Sequence, residues 1–237
     1  MSNVRSHTNP ALPKLHLPAD IPHASTPYLI MRAILQALFA VIYKLRTFNR
    51  HLEPASGGVL YICNHQSFLD PIIASCMLQR PCNYMARDSL FRNAFFAKVI
   101  STFNAFPVKR GTADTGAIKE AMRRLKAGGC LVIFAEGTRT EDGRIGPMLP
   151  GVALLAQRAA KWVVPVVIDG AYEAWPRNRK FPGAGSMMVQ YGTPMPQEQA
   201  KKLSSDELIA TMRRQMIEMQ TDLRKRAGRP ELKYDRQ

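Results

Sequence analysis

Short apolar runs alternate with longer amphipathic segments along the chain from residue 59 to residue 226. Short apolar runs favour β-strands, and segments whose apolar residues recur every three or four positions favour helices. Strands are therefore predicted at residues 59–63, 82–86, 105–108, 130–135, 162–168 and 186–191. Helices are predicted at residues 68–78, 90–101, 112–127, 149–160 and 204–226. This alternation is typical of a layered α/β fold.

Two of the predicted strands indicate how the sheet is covered. Residues 130–135 and 162–168 are apolar almost throughout, as expected for strands that carry helices on both faces of a sheet. Residues 51–200 are therefore predicted to form an α/β core with a mixed, mostly parallel sheet flanked by helices. Residues 201–237 are predicted to add a C-terminal helix and a basic tail.

The N-terminal part of the chain shows a different pattern. Five prolines within residues 1–27 predict an irregular arm, because proline removes a backbone donor and disfavours helix in the residue before it. Residues 28–43 are helical in character and apolar on most sides. Their longest uncharged run, residues 33–43, is shorter than the roughly 20 apolar residues that a membrane-spanning helix needs. Residues 28–50 are therefore predicted to form an amphipathic helix in the membrane interface, with burial in the protein core as the alternative.

The balance of charge indicates which classes of binding partner the protein favours. The chain has 33 lysines and arginines against 18 aspartates and glutamates, a net charge of +15. Such an excess favours anionic lipid surfaces, nucleic acids or phosphorylated substrates. The sequence shows neither a helix-turn-helix or zinc pattern nor a strand with aromatic residues suited to base stacking. We therefore expect a membrane phospholipid surface and no nucleic acid, and keep a non-enzymatic basic membrane- or nucleic-acid-binding protein as the alternative.

The candidate chemistry begins directly after the first core strand. His65 and Asp70 are too close in sequence to lie on two successive elements, so both are predicted on the turn between strand and helix. A carboxylate bonded to one imidazole nitrogen fixes the tautomer and stabilises the imidazolium that forms when the other nitrogen takes a proton. We interpret the pair as a general base and its orienting acid. The alternative is an ordinary histidine beside a helix cap made by Asp70 or Ser67.

Two further strand ends present charged groups. After the most apolar strand come the carboxylate of Glu136, the hydroxyl of Thr138 and the guanidinium of Arg139. Gly137 permits the tight turn between them. Arg110 ends another short strand just before a helix N-terminus, a place that suits an anion. Because sites in open α/β sheets gather at the carboxyl ends of strands, these residues are predicted to bind a phosphorylated substrate. A salt-bridged turn and a solvated basic face are the alternatives.

Four ordered blocks of the sequence resemble those of the glycerolipid acyltransferases, and the 1-acyl-sn-glycerol-3-phosphate acyltransferases look like the nearest relatives. The blocks are Asn64-His65 with Asp70, residues 106–111, residues 134–139 and residues 164–166. The resemblance implies that His65 and Asp70 form a catalytic dyad and that residues 164–166 line the substrate cleft. It also implies that the phosphate and glycerol of the acceptor are held by Arg110, Glu136, Gly137, Thr138 and Arg139.

The resemblance implies an O-acyltransferase that moves a fatty acyl chain from acyl-CoA or acyl-carrier protein to the free hydroxyl of a lysophospholipid. The expected acceptor is 1-acylglycerol 3-phosphate, which would give phosphatidic acid; glycerol 3-phosphate and other lysolipids stay open. The chain has no GxSxG motif and Cys63 has no evident base, so direct transfer without a cofactor or metal is expected. The expected location is the cytoplasmic face of a membrane, with interfacial rather than multi-spanning attachment.

Overall fold

The structure of the protein, a computed structural model, describes residues 26–109 and 114–234. These residues form one mixed sheet with helices on both faces. The strands are β1 Arg46–Phe48, β2 Val59–Cys63, β3 Cys82–Arg87, β4 Ala105–Val108, β5 Cys130–Phe134, β6 Trp162–Asp169, β7 Met188–Tyr191 and β8 Met195–Pro196. The helices are α1 Thr26–Tyr43, α2 Asp70–Ser75, α3 Ala94–Thr102, α4 Thr115–Lys126, α5 Gly151–Arg158, α6 Ala171–Ala174, α7 Gln197–Ala200 and α8 Ser205–Arg226.

Strand β2 lies at the centre of the sheet. The strand order is β1-β7-β6-β2-β5-β3-β4, and β8 also pairs with β6. Strand β6 runs antiparallel to β7 and β8, whereas the other pairings are parallel. The predicted fold class, a mostly parallel mixed sheet flanked by helices, is confirmed. The turn that carries His65 therefore leaves the middle of the sheet, with parallel neighbours on both sides.

The sheet separates two apolar cores. Successive side chains of β2 alternate between them: Leu60 and Ile62 face the core that contains α4, α5 and α8, and Val59 and Tyr61 face the core that contains α1 and α2. This alternation follows from the two-residue period of a strand. Since both faces are covered, every residue of β2 is buried, which explains its continuous apolar sequence.

Helix α8 belongs to the folded body. Its N-terminus has the predicted capping box, in which Ser204 and Glu207 each accept the other's backbone N–H. Such a cap stabilises a helix by about 1 kcal/mol. The apolar stripe of α8 packs into the core through Leu208, Met212, Met216 and Leu223.

Two of the predicted helices are considerably shorter in the structure. The helix predicted at residues 28–50 ends at Tyr43, because Lys44 has a positive φ of 45° and turns the chain. Residues 46–48 then form β1, which pairs with β7. The helix predicted at residues 68–78 is confined to α2, since the preceding residues are held in the turn described below.

Helix α1 lies on the surface with its polar side toward the protein. Arg32 donates hydrogen bonds to the carbonyls of Leu78 and Gln79, and Gln36 donates one to the carbonyl of Cys76. The outer side exposes Leu29, Ile30, Met31, Ile34, Leu38, Val41 and Ile42. The alternative of a helix enclosed in the core is therefore wrong. Within residues 26–109 and 114–234, no helix has the length and apolarity needed to cross a bilayer.

Candidate active site

A tight turn after β2 brings His65 to the carboxylate of Asp70. Nδ1 of His65 lies 2.7 Å from Oδ2 of Asp70. The same oxygen accepts hydrogen bonds from the backbone N–H groups of Gln66, at 2.5 Å, and Ser67, at 2.6 Å. Asp70 is fully buried and His65 is 8% exposed. Because Nδ1 faces the carboxylate, Nε2 is the ring nitrogen that can exchange a proton with another molecule.

The Asp70 carboxylate serves this turn and does not cap helix α2. The N-cap position is held by Leu69, which makes no side-chain capping bond. The Ser67 hydroxyl accepts a hydrogen bond from the Leu69 N–H at 3.3 Å. Pro71 stands in the first turn of α2, where its missing N–H leaves no helical bond unmade. The sequence left open whether Asp70 or Ser67 caps this helix, and neither does.

Contacts from the strand β5 side fix the position of His65. Its backbone N–H donates to Oε1 of Glu136 at 3.0 Å, and its carbonyl accepts the N–H of Thr140 at 2.7 Å. The imidazole stacks on the ring of Phe134, with centroids 4.2 Å apart. Together with the bond to Asp70, these contacts hold both the main chain and the ring of His65.

Two amide side chains in the same turn were not predicted as site residues. Asn64 accepts the Ile168 N–H at 2.8 Å and donates to the Ile168 carbonyl at 2.9 Å, so it extends the pairing of β2 with β6. Gln66 donates to the carbonyl of Gly143 at 3.0 Å and accepts the N–H of Tyr172 at 3.3 Å. The signal in the sequence is a pair of amides directly after a buried strand, on either side of the histidine.

The carboxylate of Glu136 connects two segments of backbone. Oε1 accepts the N–H of His65, and Oε2 accepts the N–H of Gly146 at 2.9 Å. Burial raises the pKa of Glu136 to about 7, and the neighbouring Asp70 adds to the rise. The two backbone hydrogen bonds and Arg213 act in the opposite direction, toward a lower pKa. Both oxygens of the carboxylate are thus engaged by the protein itself.

A cavity of about 510 Å³ opens beside the imidazole. His65 and Arg139 both line it, and the guanidinium carbon of Arg139 lies 3.5 Å from the ring centroid of Phe68. The rest of the lining is mainly apolar and includes Tyr28, Leu35, Ile72, Met85, Leu90, Ile100, Phe103 and Phe134. An imidazole and three arginines, Arg139, Arg32 and Arg87, therefore share one mainly apolar cavity.

The other predicted residues of the β5 turn are not part of this lining. Gly137 has a φ of 69°, and a Cβ there would come within 2.7 Å of Cδ1 of Leu149, so the turn requires glycine. Thr138 is exposed, and Glu136 faces the backbone donors named above. Substrate binding by these three residues stays a prediction.

Comparison with known proteins identifies the family. Residues 44–169 match the family model described as Acyltransferase. The chain belongs to the Acyltransferase family. The predicted resemblance to the glycerolipid acyltransferases and the predicted enzyme class, an O-acyltransferase, are thereby confirmed.

The proteins that this chain resembles are named as acyltransferases. It is 29% identical over 169 residues to the 1-acyl-sn-glycerol-3-phosphate acyltransferase of Bacillus subtilis (strain 168), across 71% of this chain and 82% of that protein. It is 31% identical over 121 residues to glycerol-3-phosphate acyltransferase 1 of Arabidopsis thaliana, across 51% of this chain and 19% of that protein. The fold matches the crystal structure of the 1-acyl-sn-glycerophosphate acyltransferase PlsC from Thermotoga maritima, with a TM-score of 0.73 and 20% identity, across 83% of this chain and 80% of that one.

Of the two remaining predicted elements of the candidate site, the structure describes one. Arg110, predicted to bind phosphate, falls outside the described residues. Residues 164–166, predicted to line the substrate cleft, lie buried inside β6 and are not among the described residues that line the cavity. The reason is their place in the middle of a covered strand, where they pair with β2. Their contribution is to the sheet that carries His65.

Cys63, two residues before His65 in the sequence, is not poised as a nucleophile. Cys63 is completely buried at the end of β2. Burial raises the pKa of its thiol well above the usual range, and the charges of Asp70 and Glu136 add to the rise. Since the thiolate is the nucleophilic form of cysteine, this geometry favours His65 over Cys63 as the reactive group.

Proposed function

We propose that this protein transfers a fatty acyl chain from acyl-CoA or acyl-carrier protein to the free hydroxyl of 1-acylglycerol 3-phosphate, which gives phosphatidic acid. The observation that carries the proposal is the shared cavity: His65, oriented by Asp70 at 2.7 Å, opens into the same apolar space as Arg139. The name of the Bacillus subtilis relative supports the choice of acceptor.

In this proposal His65 is the general base. Its Nε2 takes the proton of the acceptor hydroxyl while the hydroxyl oxygen attacks the thioester carbonyl of the donor. The tetrahedral intermediate then collapses, the carbon–sulfur bond breaks, and the leaving thiolate receives the proton from the imidazolium. Asp70 stabilises the imidazolium and holds the tautomer. General base catalysis of this kind contributes about 10²–10⁴-fold, and no step calls on a cofactor or a metal.

The cavity suits the acyl part of the donor. Its volume of about 510 Å³ lies in the usual range for ligand sites, about 300–1,000 Å³. The apolar side chains from α1, α2 and α3 would replace water around a hydrocarbon chain, which is favourable by about 0.8 kcal/mol per buried methylene. The thioester carbonyl would then lie where the imidazole and the chain meet.

An assay of the purified protein tests the proposed reaction. Labelled acyl-CoA and acyl-carrier protein are each offered with 1-acylglycerol 3-phosphate, glycerol 3-phosphate, a neutral monoacylglycerol and other lysolipids. Phosphatidic acid is the expected product. If only another acceptor gives product, that acceptor replaces 1-acylglycerol 3-phosphate in the proposal. If no pair of donor and acceptor gives product, the proposed acyltransferase activity is contradicted.

Arg139→Ala is expected to impair phosphorylated acceptors selectively. A guanidinium binds phosphate through charge-assisted hydrogen bonds worth about 1.5–3 kcal/mol. We therefore expect kcat/KM for 1-acylglycerol 3-phosphate to fall by about 10- to 100-fold, and that for a neutral monoacylglycerol to change far less. Arg123→Ala is the matched control, because Arg123 is exposed on α4 and pairs only with Glu120 among the described contacts. Equal losses for both acceptors would rule out the phosphate role.

We further propose that the protein is attached to the cytoplasmic face of a membrane through α1. The outer face of α1 exposes seven large apolar side chains, a pattern suited to the boundary between headgroups and acyl chains. The net charge of +15 supports attraction to anionic lipid.

Substituting two exposed residues of α1 is expected to weaken membrane binding. Val41 is 79% exposed and Ile34 is 55% exposed, so Val41→Gln with Ile34→Gln should leave the fold intact and remove apolar contact with lipid. In flotation with phosphatidylglycerol vesicles, we expect the bound fraction to fall about tenfold or more. Leu154→Gln, on α5, is the control. Unchanged flotation of the double variant would place the attachment elsewhere.

A further inference from the structure

Glu136 is directed away from the substrate cavity. His65 and Arg139 line the cavity, whereas Glu136, which lies between Phe134 and Arg139 along the turn, is not among the described residues that do so. Its two oxygens accept the backbone N–H groups of His65 and Gly146. A carboxylate that is engaged on both oxygens by the protein, outside the cavity, has no evident position for contacting the acceptor.

The surroundings of Glu136 also disfavour a phosphate ligand. The charged and titratable groups that interact with it include Cys63 at the end of β2, Asp70 from the turn after β2, Arg213 from α8 and Tyr234 from the chain that follows α8. Arg213 donates hydrogen bonds to the carbonyls of Gly146, at 3.1 Å, and Ile145, at 3.2 Å. A phosphate placed here would meet two carboxylates, Glu136 and Asp70, and like charges at close range repel.

The local backbone is shaped to receive this carboxylate. A Cβ at Gly146 would stand 3.1 Å from Oε2 of Glu136, so a larger residue would press on it. The loop is held on its far side by Tyr234, whose hydroxyl accepts the N–H of Ile145 at 2.8 Å. Glu136 thus connects the loop at Ile145 and Gly146, which Tyr234 holds in place, to the main chain of His65.

We propose that Glu136 is a positioning residue for His65 and not a ligand of the acceptor. The carboxylate fixes the His65 N–H, Thr140 fixes the His65 carbonyl, and the ring is thereby held between Asp70 and the cavity. Small displacements of a catalytic group have large consequences, since an error of about 1 Å can lower the rate about 10²-fold. This inference rests on the proposed function, in which His65 is the base.

Steady-state kinetics of Glu136→Gln test the assignment at pH 8, where the wild-type carboxylate, with its pKa of about 7, is ionised. The amide keeps the size of the side chain but turns a donor toward one of the two N–H groups. We expect kcat to fall by about 10- to 100-fold while KM for acceptor and donor stays within about twofold. Glu141→Gln is the matched control, because the Glu141 side chain is 88% exposed on the same segment, and its kinetics should match the wild type.

A second measurement separates positioning from a loss of folded protein. In protein labelled with ¹⁵N-histidine, the imidazole signals of His65 should move in Glu136→Gln, whereas those of the exposed His51 should not. If circular dichroism shows that Glu136→Gln does not fold, Gly146→Ala is used in its place. That variant keeps the carboxylate and displaces it, so a smaller fall in kcat with unchanged KM is expected.

Three results would overturn the inference. They are a tenfold rise in acceptor KM with kcat preserved, kinetics equal to those of the wild type, and unmoved His65 signals. The failure of the proposed function would look different, because wild-type protein would then give no acyl transfer with any acceptor. The imidazole signals would still report whether Glu136 holds His65.

Discussion

Replacing His65 with alanine is expected to lower kcat by about 10²–10⁴-fold, with little change in substrate binding. The substitution removes the only imidazole among the described residues that line the cavity, and it leaves the apolar walls and Arg139 in place. The measurement is initial-rate turnover of labelled acyl-CoA with saturating 1-acylglycerol 3-phosphate. Binding of a fluorescent lysolipid to the same variant reports the integrity of the cavity.

His51→Ala is the matched control for His65→Ala, because His51 is an exposed histidine outside the cavity. It should retain full turnover. Loss of turnover in His65→Ala with lipid binding preserved would distinguish an enzyme from a lipid carrier that lacks catalysis. Turnover within a few-fold of the wild type would exclude His65 as the base.

Asp70→Asn is expected to reduce both turnover and stability. The Oδ2 atom of Asp70 accepts hydrogen bonds from Nδ1 of His65 and from two backbone N–H groups. The asparagine amide lacks the negative charge that strengthens these three hydrogen bonds. Hydrogen bonds to a charged group are worth about 1.5–3 kcal/mol each at most, and we expect the free energy of unfolding to fall by about 2 kcal/mol. We expect kcat to fall by about 10²–10⁴-fold, because the imidazolium is no longer stabilised.

Urea denaturation and turnover, measured on the same preparation of Asp70→Asn, test both parts of this prediction. Asp222→Asn is the control, since Asp222 forms a half-exposed pair with Arg226 on α8 and such pairs contribute at most about 1 kcal/mol. A variant with full stability and full turnover would show that the bond between Asp70 and His65 is dispensable. Reduced stability with full turnover would restrict Asp70 to a structural role.

The core of the fold could be predicted because its sequence signals are local and strong. Strand β2 is apolar at every position, since both of its faces are covered, and the capping box of α8 can be read from Ser204 and Glu207. The short strands β1 and β8 gave no such signal. Their place is set by pairing with β7 and β6, which are distant in sequence, so no periodicity within two or three residues could indicate them.

The candidate site was predicted in part for a similar reason. The spacing of His65 and Asp70 predicted that both lie on one short turn, but it left open whether the carboxylate contacts the imidazole or caps the helix. The direction in which Glu136 points depends on Gly146, ten residues later, whose N–H donates to the second carboxylate oxygen. The burial of residues 164–166 likewise depends on their pairing with β2. Sequence shows which groups a turn carries, but tertiary contacts decide which of them reach the cavity.

Helix α1 forms one wall of the cavity and also carries an exposed apolar face. Tyr28, Arg32 and Leu35 line the cavity from one side of the helix, while Ile34 and Leu38 on the other side are exposed. If α1 rests on lipid as proposed, a fatty acyl chain can pass between bilayer and cavity around a single helix, without crossing bulk water. The poor aqueous solubility of long-chain substrates would then place no barrier in the way of turnover, and product could return to the bilayer by the same route.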